Sequence, residues 1–133
     1  MLSGGASWGR TATSACFVVD SPAGPNLVCE VVDGRVVERT IDPIDLGVAR
    51  CSPDELAGGS PEENAATIRD VFAGADGGRR SAILLNAAGA VAAGGLARDL
   101  REGLELAREA LDSGAAGERL ERLVAFSRAE AAV

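Results

Sequence analysis

Histidine, lysine and tyrosine are absent from the 133 residues, and all 13 cations are arginine. Without lysine there is no Schiff base, no pyridoxal phosphate anchor and no P-loop lysine. Without histidine, Ser-His and Cys-His nucleophile pairs are excluded, together with the commonest zinc ligand. Aromatic residues are scarce, at one Trp and three Phe, so the expected core is Leu, Val, Ile and Ala. A net charge of -7 with so few rings makes a poor nucleic-acid binder, because phosphate is repelled and bases have little to stack on. No apolar run approaches the ~20 residues that span a bilayer, so no membrane partner is expected. Met1 to Gly5 lacks a basic region, and Cys16-Phe17-Val18-Val19 is too short for a secretory core, so no secretory leader is expected. The cysteines, Cys16, Cys29 and Cys51, are odd in number and fit no CxxC pattern. They read as buried or inert thiols in a reducing cytosol, and the expected location is cytoplasmic.

What is present suits one domain: 47% of residues are hydrophobic, which argues against wholesale disorder. Residues 1–23 read as an irregular arm with a short strand candidate at Ala15–Val19. Asn26–Val32 and Arg35–Thr40 are β-branched runs joined by Asp33-Gly34, a strong hairpin signal. Ser52-Pro53-Asp54-Glu55 is a capping box that opens only a short turn before Gly58-Gly59. Ser60-Pro61-Glu62-Glu63 repeats the signal, and its helix runs through Ala65, Ile68, Val71 and Phe72 to Gly74. Ala82–Ala93 is apolar nearly all round, the pattern of a helix buried on most faces. Asp99, with Glu102 three residues on, opens a helix whose Leu100, Leu104, Ala107 and Leu111 share one face, and Ser113-Gly114 stops it. A last helix, about Glu118–Arg128, carries Leu120, Leu123, Val124 and Ser127 on one side. Arg98/Glu102, Arg101/Glu105, Arg108/Asp112 and Glu118/Arg122 are opposite charges at i, i+4, each worth a few tenths of a kcal/mol.

Candidate chemistry is thin. Ser3–Arg10 is glycine-rich but lacks the Gly-Lys-Ser/Thr ending of a phosphate loop. Asp54-Glu55 and Glu62-Glu63 are adjacent carboxylates. Neighbouring helical residues point about 100° apart, so they read as helix-start residues rather than an acid/base pair. Asn86 reads as a satisfied buried amide, with a site residue as the other reading. Arg79-Arg80 reads either as an anion contact or as a solvated loop before the apolar helix. Composition and spacing alone lead to an α+β or α/β domain without a catalytic constellation. No residue is assigned a catalytic, substrate-binding or metal-binding role.

From Gly24-Pro25 onward the order of motifs resembles the C-terminal part of anthranilate phosphoribosyltransferases. The Val-rich hairpin is followed by Ile41-Asp42-Pro43-Ile44-Asp45-Leu46-Gly47-Val48 and by Leu56-Ala57-Gly58-Gly59-Ser60-Pro61-Glu62-Glu63-Asn64-Ala65. Next comes Ala82-Ile83-Leu84-Leu85-Asn86-Ala87-Ala88. Leu100-Arg101-Glu102-Gly103-Leu104 and Ala110-Leu111-Asp112-Ser113-Gly114-Ala115 close the series, and the likeness extends from about Gly24 to Ser127. The resemblance implies a segment, residues 24–133, of a nucleoside phosphorylase/phosphoribosyltransferase-type α/β domain, here a hairpin followed by about four helices, with residues 1–23 unmatched.

The same resemblance implies transfer of phosphoribosyl from phosphoribosyl pyrophosphate to anthranilate, with magnesium, in a homodimer. Asn64 and Asn86 are expected to be architectural, and Ala87, Ala88 and Gly89 to let their helix lie close to its neighbours. The family's Gly-Thr-Gly-Gly-Asp and Lys-His-Gly-Asn donor segments, its Asp-Glu magnesium pair and its helical dimer domain have no counterpart here. The chain alone is therefore expected to be inactive. A non-catalytic helical module that binds a partner protein is the alternative, and a pyrimidine nucleoside phosphorylase relative a third reading.

Overall fold

The computed structural model describes residues 21–32 and 34–130. The Ser3–Arg10 loop, the Ala15–Val19 strand candidate, Cys16 and Asp33 lie outside the described residues. The chain builds a two-stranded antiparallel hairpin and then four α-helices: β1 (Asn26–Val32), β2 (Arg35–Ile41), α1 (Pro61–Phe72), α2 (Gly78–Ala93), α3 (Leu100–Asp112) and α4 (Ala115–Glu130). Two short 3-10 turns, Pro43–Leu46 and Pro53–Leu56, connect β2 to α1. The expected α/β arrangement of a hairpin followed by four helices is what forms.

The hairpin register runs from Asn26 opposite Ile41 to Val32 opposite Arg35, which leaves a two-residue loop. Gly34 takes φ 76° there, a left-handed conformation that glycine adopts without steric cost. Val28 is buried, whereas Leu27, Val36 and Val37 stay exposed. Both capping boxes form. The Ser52 amide donates to Glu55 Oε1 at 2.8 Å, and the Ser60 amide to Glu63 Oε2 at 2.7 Å. The first box opens only the 3-10 turn and the second opens α1, as their spacing to the next glycines implies.

The core lies where α2 crosses α3. It gathers Leu84, Leu85 and Ala88 of α2 with Leu100, Leu104, Ala107 and Leu111 of α3, closed by Val48 and Val71. Each such leucine contributes roughly 1.5–3 kcal/mol on full burial. The two helices approach closely at Gly103, where a Cβ would lie 2.5 Å from the Ala88 carbonyl oxygen. The close packing expected of Ala88 and Gly89, both buried, thus has its counterpart on the facing helix.

Several helix expectations need correction. α2 starts at Gly78, not Ala82, so Arg79 and Arg80 stand in its first turn and not in a loop. No side chain caps this start. Gly77, at φ 122°, turns the chain into the helix, and Gly78 sits against Cys51 where a Cβ would come within 2.6 Å. α2 is not buried on most faces: Leu84, Leu85, Ala88, Gly89 and Ala92 are covered, whereas Ile83, Asn86 and Ala87 are half-buried and Ala90 is exposed. The cause is that α3 shields one side of it. α4 spans Ala115–Glu130, longer than expected, and buries none of its residues; Leu123 and Phe126 are exposed.

The i, i+4 ion pairs also partition differently. Arg98 does meet Glu102, at 2.9 Å. Arg101 instead donates to the Asp45 carbonyl at 2.7 Å and Arg108 to the Gly47 carbonyl at 3.2 Å, so α3 holds the first 3-10 turn. Asp112 pairs with Arg80, joining the end of α3 to the start of α2. Carbonyls left over at a tight turn outcompete a solvated carboxylate on the same helix face.

Gly103→Ala should lower the unfolding free energy measured by urea titration by about 1–3 kcal/mol, with a lower midpoint, because the clash is with backbone and the helices must separate. Gly117→Ala, where an added Cβ meets nothing within 4 Å, should be neutral or stabilising by up to ~1 kcal/mol. Equal midpoints for the two variants would refute the close-approach account.

Candidate functional site

The segment Leu56–Asn64 is built around two glycines and one amide. Asn64 accepts from the Gly59 amide at 2.9 Å and donates from Nδ2 to the Gly59 carbonyl at 3.0 Å. This two-point clamp folds the Gly58-Gly59 turn back over the start of α1. The fit is close: a Cβ on Gly58 would lie 3.3 Å from Asn64 Oδ1, and one on Gly59 would lie 2.3 Å from Glu63 Oε2. Arg79 reaches across from α2 and donates to the Ala57 carbonyl at 3.1 Å. The turn is therefore held from both helices.

Beside it lies an open cavity of about 390 Å³. Leu56, Ile68, Ala82 and Ile83 form its apolar wall, and Asn64, Thr67, Arg79 and Asn86 supply its polar groups. Asn86 donates from Nδ2 to the Ala82 carbonyl at 2.9 Å. A neighbouring concavity of about 340 Å³ shares Thr67 and Arg79 but is lined by Glu55, Asp70 and Asp76 around the start of α2. The acidic rim makes that helix start a poor seat for phosphate.

The residues singled out by sequence thus divide. Asn64, Asn86 and Arg79 meet around one cavity, which their separation in the chain did not show. Asn64 acts on backbone, in line with an architectural role. Arg79 donates to the Ala57 carbonyl and Arg80 pairs with Asp112, and both stand in the first turn of α2 rather than in a loop. Glu55 and Glu63 are the acceptors of the two capping boxes. Among the described residues no three His, Cys, Asp or Glu side chains gather to hold a metal ion. The described carboxylates are engaged at helix starts or stand apart, an arrangement that does not fit a magnesium ion. Cys29 and Cys51 are free and half-buried. Burial, with Glu55 nearby, pushes the Cys51 thiol up, which favours the unreactive protonated form. The signal that sequence reading missed was Leu56-Ala57 beside Ile83, a contact between segments that share no local periodicity.

Two carboxylates carry the clearest electrostatics. Bonds from the Ser60 amide and hydroxyl hold Glu63 below its ordinary value of 4.5. Bonds from the Arg98 amide and guanidinium do the same for Glu102. Both are helix-start acceptors facing water.

With this geometry in view, a family profile described as "Glycosyl transferase family, a/b domain" matches residues 12–117. The chain belongs to that family. Within it, the chain is similar to part of anthranilate phosphoribosyltransferase. It is 49% identical over 107 residues to the enzyme of Desulforudis audaxviator, covering 80% of this chain and 31% of that protein. It is 42% identical over 126 residues to the Pelotomaculum thermopropionicum enzyme, covering 89% and 36%. The crystal structure of the Thermus thermophilus enzyme superposes with a TM-score of 0.72 at 41% identity, over 80% of this chain and 32% of that one. The chain therefore spans about a third of the length of these relatives.

A depressed carboxylate stabilises the fold fully above its unfolded pKa, and that contribution disappears as pH falls through the folded value. Glu63→Gln/Glu102→Gln keeps acceptor oxygens but removes the titration. The double variant should have a lower Tm than the parent near neutral pH, and should lose less Tm between about pH 6 and pH 3. Parallel Tm curves across that range would contradict the assignment.

Proposed function

We propose that this chain is a structural portion of an anthranilate phosphoribosyltransferase, with residues 24–133 as the segment of the α/β domain. The whole enzyme would transfer phosphoribosyl from phosphoribosyl pyrophosphate to the anthranilate amine and release pyrophosphate, a step of tryptophan biosynthesis. The observation that carries the reading is the joint match in sequence and fold, 41% identity at a TM-score of 0.72. Magnesium, a homodimer and a cytoplasmic setting are part of the same proposal, by resemblance. Among the described residues no helix is long and apolar enough to cross a membrane.

The chain's own groups support a scaffolding role. Phosphoribosyl pyrophosphate is a polyanion that needs backbone N–H groups, cations and a metal ion around it. Here Arg79, Arg80, Arg101 and Arg108 are engaged with carbonyls or a carboxylate inside the fold. Glu55, Glu63 and Glu102 are engaged at helix starts. What these residues do is hold α2, α3 and the Gly58-Gly59 turn in place, which positions whatever packs against them.

The purified chain, incubated with anthranilate, phosphoribosyl pyrophosphate and magnesium, should give no phosphoribosylanthranilate above background. Turnover by the chain alone would overturn the scaffold reading. Absence of turnover after the remaining two thirds of a relative is supplied and bound would overturn the enzyme reading.

A further inference from the structure

Asp76-Gly77 is exposed in the connection between the end of α1 and the start of α2. The Gly77 amide donates to Asp76 Oδ1, the carboxylate of the residue just before it, at 2.9 Å. The two groups that react when an aspartyl residue cyclises, the following amide nitrogen and the carboxyl, therefore already lie side by side. Holding reactants together in this way lowers the entropic cost of an intramolecular step. Glycine adds no side chain to screen its nitrogen.

Other Asp and Asn positions among the described residues are shielded by contrast. Asp42 precedes Pro43, which has no N–H. Asn26, Asp45 and Asp99 precede leucine, whose side chain crowds its nitrogen. The Glu55 amide after Asp54 donates to the Ser52 carbonyl at 3.2 Å, and the Ser113 amide after Asp112 to the Glu109 carbonyl at 3.0 Å. Asn64, Asp70 and Asn86 lie within helices, where the amides that follow them enter the ladder.

We propose that Asp76-Gly77 is a self-modification site, at which aspartate converts to isoaspartate and loosens the start of α2. The Gly77 nitrogen attacks Asp76 Cγ and a C–N bond forms. One carboxyl oxygen leaves as water, taking the carboxyl proton and the amide proton, and a succinimide ring remains. Water then adds to one of the two ring carbonyls. Opening at Cγ restores aspartate, whereas opening at the former main-chain carbonyl routes the chain through Cγ. The water released is returned, and nothing is oxidised or reduced. The product has one more methylene in the main chain, ahead of a helix start with little slack. Gly77 turns into α2 at φ 122°, and Gly78 sits where a Cβ would lie 2.6 Å from Cys51. Arg79 and Arg80, the next residues, hold the Ala57 carbonyl and Asp112.

The test ages the full chain at physiological temperature and mildly acidic pH, then digests it after arginine. The peptide Asp70–Arg79 should yield a form one water lighter and an isobaric form that resists aspartate-specific cleavage at residue 76. The free peptide of the same sequence is the reference. The folded chain should convert within about threefold of its rate or faster, and conversion more than about tenfold slower, the mark of protection by ordered backbone, would overturn the proposal. Asp76→Asn should give the same isoaspartyl product faster, with ammonia released in place of water. Asp76→Glu, whose cyclisation needs a larger ring, should give none. Isoaspartate formed in that variant as fast as in the parent would place the reaction at Asp70 and overturn the assignment. The converted chain should melt below the fresh one, and aged Asp76→Glu should melt as it did when fresh. A converted chain that melts with the fresh one would overturn the link to α2.

Discussion

The crossing of α2 over α3 is the constraint on which the rest depends. It requires a residue without a side chain at position 103, because the Ala88 carbonyl occupies the space where a Cβ would project. Close approach brings Leu84 and Leu85 against Leu100, Leu104 and Leu111. It also sets the ends of the helices so that Arg80 can meet Asp112. In a protein with so few rings, backbone proximity takes the place of bulk: small residues at the crossing let aliphatic side chains on either side mesh at interior density.

A second layer of order is polar and local. Ser52, Ser60 and Asp99 start their elements through side-chain oxygens, and Asn64 ties a glycine turn by its backbone. These contacts are exposed, and each contributes on the order of a kcal/mol or less. Their effect is directional. They decide where α1 begins and how Leu56 stands beside Ile68, which gives the cavity its shape.

The elements legible in the sequence were those with local signals. The Asp-Gly turn, the two Ser-Pro-x-Glu starts and the period of Leu100, Leu104, Ala107 and Leu111 each lie within a few residues of what they control. The start of α2 was not legible, because it depends on the positive φ of Gly77 and on Cys51 lying over Gly78, a contact between distant parts of the chain. α2 reads as buried all round because its composition is apolar nearly throughout; α3 covers one side of it and Cys51 lies against its start, while Ile83, Asn86 and Ala87 are half-buried. The cavity was invisible for a related reason. Asn86 was recognisable as a paired amide, but no pattern in either helix says that it and Asn64 border the same space.

The grip of α3 on the first 3-10 turn has a consequence for the order of assembly. Arg101 and Arg108 reach carbonyls 56 and 61 residues earlier in the chain. A contact of that span repays its loop-closure entropy only after the intervening helices have formed. During synthesis the hairpin and its following turn therefore emerge well before the arginines that hold them. The amino-terminal part of this fold waits on the carboxyl-terminal part, and a nascent chain stopped before residue 101 would carry a turn with no anchor.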